Sequence, residues 1–193
     1  MKCLEDIEVM KVDLGNRVIY VNEDIDSETL EEGALAIQYI NRYDNEQESK
    51  LKNYVREPIT VIVDSYGGSV YDGMGLINMI TSSKTPVHTY CYSKGMSMGF
   101  LIFISGHKRY VHEHATLMYH QLSSVVYGTN KMIQDEALAI EEMNNRIMEI
   151  VVKRTGITKK KLKKKNKEQK DWYISGRKAV DLGVADELIE DTI

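Results

Sequence analysis

The chain has 193 residues, of which 42% are hydrophobic, 13 are glycine and 2 are proline, so it can bury one substantial core and is unlike a linker or a disordered segment. The net charge of -4 argues against nucleic acid as the main partner, and no apolar run reaches the roughly 18 residues that a membrane-spanning helix needs. The acidic N-terminus lacks the apolar core of a signal peptide, and the cysteines are Cys3 and Cys91. We therefore expect a cytoplasmic protein without a structural disulfide or a cysteine-based metal site.

The chain opens with a predicted strand and helix. Residues 18–21 form a short apolar strand, and Asp26 with Ser27 predicts the start of a helix. The expected inward positions of that helix are Leu30, Ala34, Ile37 and Asn41. The polar residues 44–57 predict either a loop or an irregular extension of the helix.

Four more apolar strands follow. Residues 59–63 are a continuous apolar run, typical of a parallel strand that is covered on both faces. A glycine turn at residues 65–69 leads from this strand into a second helix. Residues 87–92, 108–111 and 116–119 predict further strands, with a short apolar helix after the first of them.

A long helix over residues 131–154 is predicted near the C-terminal end, where Gly156 is placed to end it. Its expected core-facing stripe is Ile133, Ala137, Ile140, Ile147 and Val151. The lysine-rich residues 159–167 that follow are typical of a solvated helix face. Strands that alternate with helices in this way predict an α/β fold with a parallel sheet and right-handed crossovers.

One serine is placed as a nucleophile would be. Ser97 lies between Gly95 and Gly99, at the junction of an apolar strand and an apolar helix. The glycines permit a sharp turn that lifts the hydroxyl clear of the backbone and directs helix N–H groups at a developing negative charge. Close packing of helix on strand around a small residue explains the same pattern equally well, so the motif alone does not decide.

His120 is the histidine best placed to act as a base, because it ends the apolar strand of residues 116–119. Parallel sheets present reactive groups outside the carboxyl ends of their strands. The alternative is a buried histidine that bonds a backbone carbonyl. His112 and His114 have the spacing of two metal ligands on one strand face, but no third ligand stands near them, so we expect no metal site.

Asp171 is the most attractive acid to orient the base. It precedes Trp172, an aromatic residue that can exclude water from a buried His–Asp pair. On this evidence, it is equally consistent that Asp171 is an ordinary surface carboxylate without a catalytic role. Asp64 and Asp72 flank the glycine turn, where a carboxylate would oppose the charge that an oxyanion site must stabilise.

The order Ser97, His120, Asp171 differs from the serine, acid, histidine order of α/β-hydrolases. With the glycine turn, it resembles the Clp protease proteolytic subunit (ClpP) family of serine peptidases. Residues 64–70 resemble the family's Asn-Ser-Pro-Gly-Gly-x-Val turn, residues 95–99 its Ala-Ser-Met-Gly elbow, and residues 117–121 its Met-Ile-His-Gln strand end. Residues 171–186 resemble its Asp-x-Phe-x-Ser closing segment.

The resemblance implies a catalytic assignment. Ser97 attacks a peptide carbonyl, His120 takes and returns the proton, and Asp171 holds the imidazole. The backbone N–H groups of Gly68 and Met98 form the oxyanion hole. No cofactor or metal is implied.

It also implies the ClpP/crotonase fold, a single peptidase domain over residues 1–193 with a short N-terminal segment 1–16, and a protruding handle over residues 121–156. The substrate is expected to lie extended between two segments of the chain. The expected substrate-binding residues are Gly68 and Val70 on one side, and Ser123 and Val125 on the other.

The resemblance also implies assembly into heptameric or double-heptameric rings, with an AAA+ unfoldase of the ClpX, ClpA or ClpC type as a partner. Tyr66 replaces a proline of the glycine turn, residues 122–124 replace a Pro-Leu-Gly-Gly stretch, and Gln169 with Lys170 replaces an acid–arginine pair. Three alternatives stay open: a crotonase-like acyl-CoA enzyme, a Ser–Lys peptidase that uses Lys94, and a non-catalytic ring subunit.

Overall fold

A computed structural model describes residues 11–190, which contain nine strands and six helices. The strands are β1 (Val12–Asp13), β2 (Val18–Val21), β3 (Ile59–Val63), β4 (Val87–Cys91), β5 (Lys94–Met96), β6 (Lys108–Val111), β7 (Thr116–Tyr119), β8 (Trp172–Ser175) and β9 (Glu187–Leu188). The helices are α1 (Ser27–Lys50), α2 (Val70–Ser82), α3 (Met98–Ile104), α4 (Asn130–Arg154), α5 (Lys159–Glu168) and α6 (Gly176–Asp181).

Two sheets organise the fold. The larger has six strands in the order β1-β2-β3-β4-β6-β9, and all its neighbours are parallel except the β1–β2 pair. The smaller has the order β5-β7-β8, in which β5 and β7 are parallel and β7 and β8 antiparallel. The predicted α/β class with a mostly parallel sheet is therefore confirmed.

Helix α3 lies at the centre of the core. All seven of its residues are buried, and it packs against α2, α4 and strand β5. A sequence that is apolar all round a helix is stable only when other elements cover every side. The helix begins immediately after Ser97, so a fully buried helix fixes the position of that residue.

The polar residues 44–57 divide between the two predicted possibilities. Helix α1 continues to Lys50, and the rest of the stretch is irregular. Within this extension Asp44 is fully buried, and the two terminal guanidinium nitrogens of Arg17 donate to its carboxylate at 2.8 and 2.9 Å. The predicted inward positions of α1 were partly wrong. Its buried residues are Gly33, Ala36, Ile37, Ile40 and Asp44, while Ala34 and Asn41 are only partly buried.

Helix α4 matches the predicted helix within one residue, but its predicted stripe is only half correct. Ile147 and Val151 are buried, whereas Ile133 and Ala137 are exposed. The reason is that the N-terminal half of α4 projects beyond the elements that cover its C-terminal half.

Helix α5 contains the lysine-rich run, and of its residues only Leu162 is buried, which confirms the predicted solvated face. Cys91 is buried in β4, and that burial raises the pKa of its thiol to about 12. Cys3 and the first ten residues of the predicted N-terminal segment lie outside the described residues. None of the helices within residues 11–190 has the length and apolar character that a membrane crossing requires.

Candidate active site

The register of the smaller sheet brings three predicted residues to one edge. Met96 of β5 lies opposite Met118 of β7, so Ser97 leaves the sheet near the end of β7. Tyr119 of β7 lies opposite Trp172 of β8, and the neighbours of that pair are His120 and Asp171. Parallel and antiparallel pairing together place the serine, the histidine and the aspartate side by side.

Ser97 forms a strained elbow between β5 and α3. Its backbone has φ 52° and ψ -116°, a conformation that is uncommon for residues other than glycine and costs on the order of 1–3 kcal/mol. Its N–H donates to Met118 O at 2.9 Å, and its C=O accepts from Leu101 N at 3.3 Å. The buried helix on one side and β7 on the other hold this geometry.

His120 lies directly beside Ser97. Its Nε2 is 2.7 Å from the Ser97 Oγ, within hydrogen-bond distance for a base that accepts the hydroxyl proton. The imidazole is partly buried, with 29% of its side chain exposed. The backbone two residues after His120 is also held in place, because Leu122 N donates to Asn144 Oδ1 of α4 at 2.9 Å.

Asp171 lies on the other side of the imidazole, but the expected buried pair was wrong. Its Oδ1 is 3.5 Å from His120 Nδ1, and 47% of its side chain is exposed. Trp172 does not cover it, because the indole lies beneath the ammonium groups of Lys161 and Lys165, at 4.7 and 5.6 Å from the ring centroid. The aromatic residue thus packs on α5 instead of on the carboxylate.

The glycine turn approaches the elbow closely. A side chain at Gly67 would place its Cβ 2.7 Å from Ser97 Cβ, and one at Gly68 would lie 2.3 Å from Ile25 O. Both have positive φ, 119° and 152°, so both positions require glycine. Among the hydrogen bonds of residues 11–190, the Gly68 N–H has no acceptor, and Met98 N–H belongs to the first turn of α3. Both groups are therefore available as donors next to Ser97.

Two pockets adjoin the pair of Ser97 and His120. An apolar one of about 20 Å³ is lined by Val70, Ser97, Met98, Leu101, Tyr119, His120, Leu122 and Ile147. A larger one of about 250 Å³ lies on the far side of the imidazole, between residues 120–123 and the end of α5. The apolar pocket is the one that reaches the hydroxyl.

The predicted substrate-binding residues have different surroundings. Gly68 is exposed and pairs with Ile25 through an isolated parallel bridge. Val70 begins helix α2 and lines the apolar pocket, so it is not part of an extended segment. Ser123 and Val125 are exposed in the irregular stretch before α4, and the role predicted for them stays a prediction.

The alternatives based on Lys94 and on the histidine pair lack support. Lys94 Nζ donates to Asp64 Oδ1 at 2.7 Å, which raises the pKa of the ammonium and keeps it charged, unlike a general base. His112 Nδ1 accepts from the His114 N–H at 3.2 Å. Within residues 11–190, no cluster of three or more His, Cys, Asp or Glu side chains is placed to hold a metal ion.

Two polar side chains that support the site were not predicted from the sequence. Asn144 is buried on α4, where it fixes the backbone after His120. It lies between Ile140 and Ile147 in the predicted apolar stripe, and a polar residue in such a stripe is the pattern that could have revealed it. The other is Asn166 of α5, whose Oδ1 accepts from the hydroxyl of Tyr119 at 3.1 Å. Nothing in the sequence marks that contact.

A serine, a histidine and an aspartate at one edge of an α/β scaffold define the class of serine hydrolases. Comparison with known proteins narrows the class. The family model for Clp protease matches residues 5–192. The chain therefore belongs to the Clp protease family, as a divergent member, and is by family a serine peptidase of the Clp type.

Curated relatives agree with this family. The chain is 28% identical over 179 residues to "ATP-dependent Clp protease proteolytic subunit 1" of Prochlorococcus marinus subsp. pastoris, covering 92% of this chain and 85% of the relative. It is 25% identical over 181 residues to "ATP-dependent Clp protease proteolytic subunit" of Deinococcus radiodurans, covering 93% and 83%. A subunit 2 of the same protease from Synechococcus sp. is 26% identical over 179 residues, with 92% and 85% covered.

Proposed function

We propose that the chain is a ring-forming serine endopeptidase that hydrolyses peptide bonds of short peptides and unfolded proteins with Ser97, His120 and Asp171. The observation that carries the proposal is the 2.7 Å separation of Ser97 Oγ and His120 Nε2, with a carboxylate at the other imidazole nitrogen. A serine hydroxyl is a poor nucleophile near neutral pH and needs such a base within hydrogen-bond reach.

The reaction proceeds through an acyl-enzyme. Ser97 Oγ attacks the scissile carbonyl while His120 Nε2 takes its proton and then donates it to the leaving amine. Asp171 faces Nδ1 and favours the tautomer that leaves Nε2 free to accept. Water, activated by the same imidazole, releases the acyl group and restores the hydroxyl.

Gly68 and Met98 donate their N–H groups to the oxyanion. A preorganised donor of this kind contributes on the order of 3 kcal/mol to transition-state stabilisation. The apolar pocket of about 20 Å³ lies beside Ser97, where the side chain that precedes the scissile bond would enter, and its volume admits only a small apolar group. The exposed stretch of residues 123–127 offers backbone groups to an extended peptide.

The exposed half of α4 supports assembly into heptameric or double-heptameric rings. Met132, Ile133 and Leu138 are 58%, 42% and 66% exposed in the single chain. Apolar side chains of this size along one projecting helix are typical of an interface with another copy.

An AAA+ unfoldase is the proposed source of unfolded substrate. The support is the description of the relatives as subunits of an ATP-dependent protease and an apolar groove between β1 and α1, lined in part by Leu14, Leu35 and Tyr39. The test is ATP-dependent degradation of a folded, tagged substrate when a ClpX-type unfoldase is added.

The peptidase activity itself is tested with Ser97→Ala in an assay on a short fluorogenic peptide, with light scattering in parallel. We expect hydrolysis to be abolished and the oligomer distribution to stay unchanged, because the substitution removes one small polar atom. Wild-type rates in this variant would contradict the proposal.

A further inference from the structure

Lys94 joins strand β5 to the glycine turn, defined here as residues 64–69. Its ammonium donates to Asp64 Oδ1 at 2.7 Å and lies 4.8 Å from the ring centroid of Tyr66. Only 22% of the Lys94 side chain is exposed. One cation thus contacts the two positions that flank Ser65.

The backbone of the glycine turn is anchored at both ends, and between them a single bond, from Gly67 N to Ser65 Oγ at 3.0 Å, spans Tyr66. At one end, Ser65 N donates to Lys94 O at 3.2 Å and Met96 N donates to Ser65 O at 3.0 Å. At the other end, Ile25 N donates to Gly67 O at 2.9 Å and Ser69 N donates to Ile25 O at 2.7 Å. Tyr66 lies between these anchors, with 69% of its surface exposed.

The residues after Tyr66 are the ones that most need restraint. Gly67 and Gly68 have no side chains to limit their backbone, so ordering them costs more conformational entropy than ordering other residues. A proline at position 66 would supply that restraint through its fixed φ, and this chain has tyrosine there. The contact of the tyrosine ring with Lys94 adds a restraint from outside the turn to the internal bond between Gly67 N and Ser65 Oγ.

We propose that Lys94 is a positioning residue for the oxyanion hole, which it acts on by holding Asp64 and Tyr66 so that the Gly68 N–H faces the developing oxyanion. The inference rests on the proposed role of Gly68 as a donor. Lys94 itself does not touch the reacting atoms.

The expected effect follows from the geometry of catalysis. A misplacement of about 1 Å in a catalytic group can cost up to about 100-fold in rate. Lys94→Met keeps the apolar stem and removes the cation, so the turn loosens without a cavity. We expect kcat to fall about tenfold and KM to change less, because the oxyanion exists only in the transition state.

The test compares three variants: Lys94→Met, the double variant Lys94→Met/Tyr66→Pro, and the control Lys84→Met. The control removes a similarly short ion pair, 2.6 Å from Lys84 Nζ to Glu48 Oε2. Lys84 follows the C-terminal end of α2, so the whole of that helix separates it from the glycine turn. The inhibition constant of a peptide boronate reports on the oxyanion hole, since its tetrahedral adduct places an oxygen there. Hydrogen exchange of the peptide that spans residues 64–69 reports on the turn without any activity.

We expect Lys94→Met to weaken boronate binding by the same factor as kcat and to speed exchange in the turn, while Lys84→Met changes neither. Proline at position 66 should restore both to within about threefold of wild type. Unchanged exchange and unchanged boronate affinity in Lys94→Met overturn the inference and leave the peptidase proposal intact. Faster exchange without any loss of boronate affinity contradicts the role of Gly68 instead.

Discussion

The Asp171 carboxylate lies 3.5 Å from His120 Nδ1, while Nε2 of the same ring lies 2.7 Å from Ser97 Oγ. The first distance exceeds that of a well-formed N–H···O hydrogen bond and the second does not. Gln169, two residues before the aspartate, has a left-handed backbone with φ 51°. The other carboxylate oxygen of Asp171, Oδ2, accepts from the Tyr173 hydroxyl at 3.3 Å. The acid is therefore held by two long contacts, and its side chain is more exposed than that of His120.

Asp171→Asn should lower peptide hydrolysis at least about 100-fold, because an amide no longer favours the tautomer in which His120 accepts the serine proton. Asp181→Asn is the control, since that carboxylate pairs with Lys178 at 3.2 Å on the surface of α6. Steady-state kinetics on a fluorogenic peptide gives the comparison. An equal loss of peptide hydrolysis in the two variants would show that Asp171 is not the acid of the triad.

Asp186→Asn should affect stability more than rate. Asp186 bonds the guanidinium of Arg109 through both oxygens, at 2.6 and 2.9 Å, and this contact ties β9 to β6. Thermal unfolding should show a lower Tm, whereas kcat of the folded fraction should stay near wild type. A loss of kcat as large as that of Asp171→Asn argues against this separation.

Gly68→Ala should abolish activity and lower the Tm. The added Cβ would lie 2.3 Å from Ile25 O, and the backbone has φ 152°, so the turn must shift away from Ser97. Gly15→Ala is the matched control, because its Cβ would meet only Asp13 Oδ1, at 3.4 Å. Calorimetry and the peptide assay measure the two effects, and a fully active Gly68→Ala enzyme would be inconsistent with the proposed oxyanion hole.

Acid should destabilise the fold partly through Asp44. Burial alone would raise the pKa of this carboxyl, but hydrogen bonds from Arg17, Thr85 and Tyr54 more than offset burial and lower the pKa to about 2. The folded pKa lies below the unfolded one of about 3.9, so the stabilisation is present above pH ~4 and is lost as the pH falls towards 2.

At 1.36 kcal/mol per pKa unit, a difference of roughly two units amounts to about 2–3 kcal/mol. Urea unfolding at pH 5 and at pH 2.5 measures it, with Asp44→Asn as the reference. The variant should be less stable at pH 5 and should lose less on acidification. Identical pH dependence of the two proteins would refute the contribution of Asp44.

Salt should shift the proposed ring equilibrium. Gln169 and Lys170 stand where the family has an acid–arginine pair, and neither can form a bidentate bridge to a carboxylate. Where copies meet at α5, its lysines repel one another unless Glu141, Glu142 or Glu149 offsets them. We expect an equilibrium between heptamer and tetradecamer in which the two rings separate more easily than those of other family members. The equilibrium should depend on ionic strength, and peptidase activity should follow the amount of the double ring. Sedimentation velocity at low and high salt tests this, and a tetradecamer unchanged at sub-micromolar protein would contradict it.

Local patterns in the sequence predicted strands β2, β3, β4, β6 and β7, helices α1 to α4 and the elbow, because each is specified by neighbouring residues. The short strands β1, β5, β8 and β9 and helix α6 were not predicted. The apolar runs of β3 and α3 and the capping Asp26 of α1 need no knowledge of distant parts of the chain. The predicted proximity of Ser97 and His120 followed from the general rule that strand ends meet at one sheet edge. In the structure, the pairing of Met96 with Met118 brings the ends of β5 and β7 together at that edge.

Side-chain contacts between distant segments could not be predicted from the sequence. The exposure of Asp171 depends on Trp172 packing against lysines of α5, and nothing in the local pattern distinguishes that packing from coverage of the carboxylate. The buried Asp44 likewise depends on Arg17, 27 positions away. The exposed half of α4 could not be told from a buried one, because an apolar stripe has the same period whether it faces its own core or another copy.

The most direct test of the central claim is the site of covalent labelling by a fluorophosphonate. The intact wild-type protein should gain one adduct, and peptide mapping should place it on Ser97, because only the hydroxyl paired with His120 is activated. Ser97→Ala should stay unlabelled, and His120→Ala should label far more slowly. An unlabelled wild-type protein, or an adduct on any other residue, would contradict the assignment of Ser97 as the nucleophile.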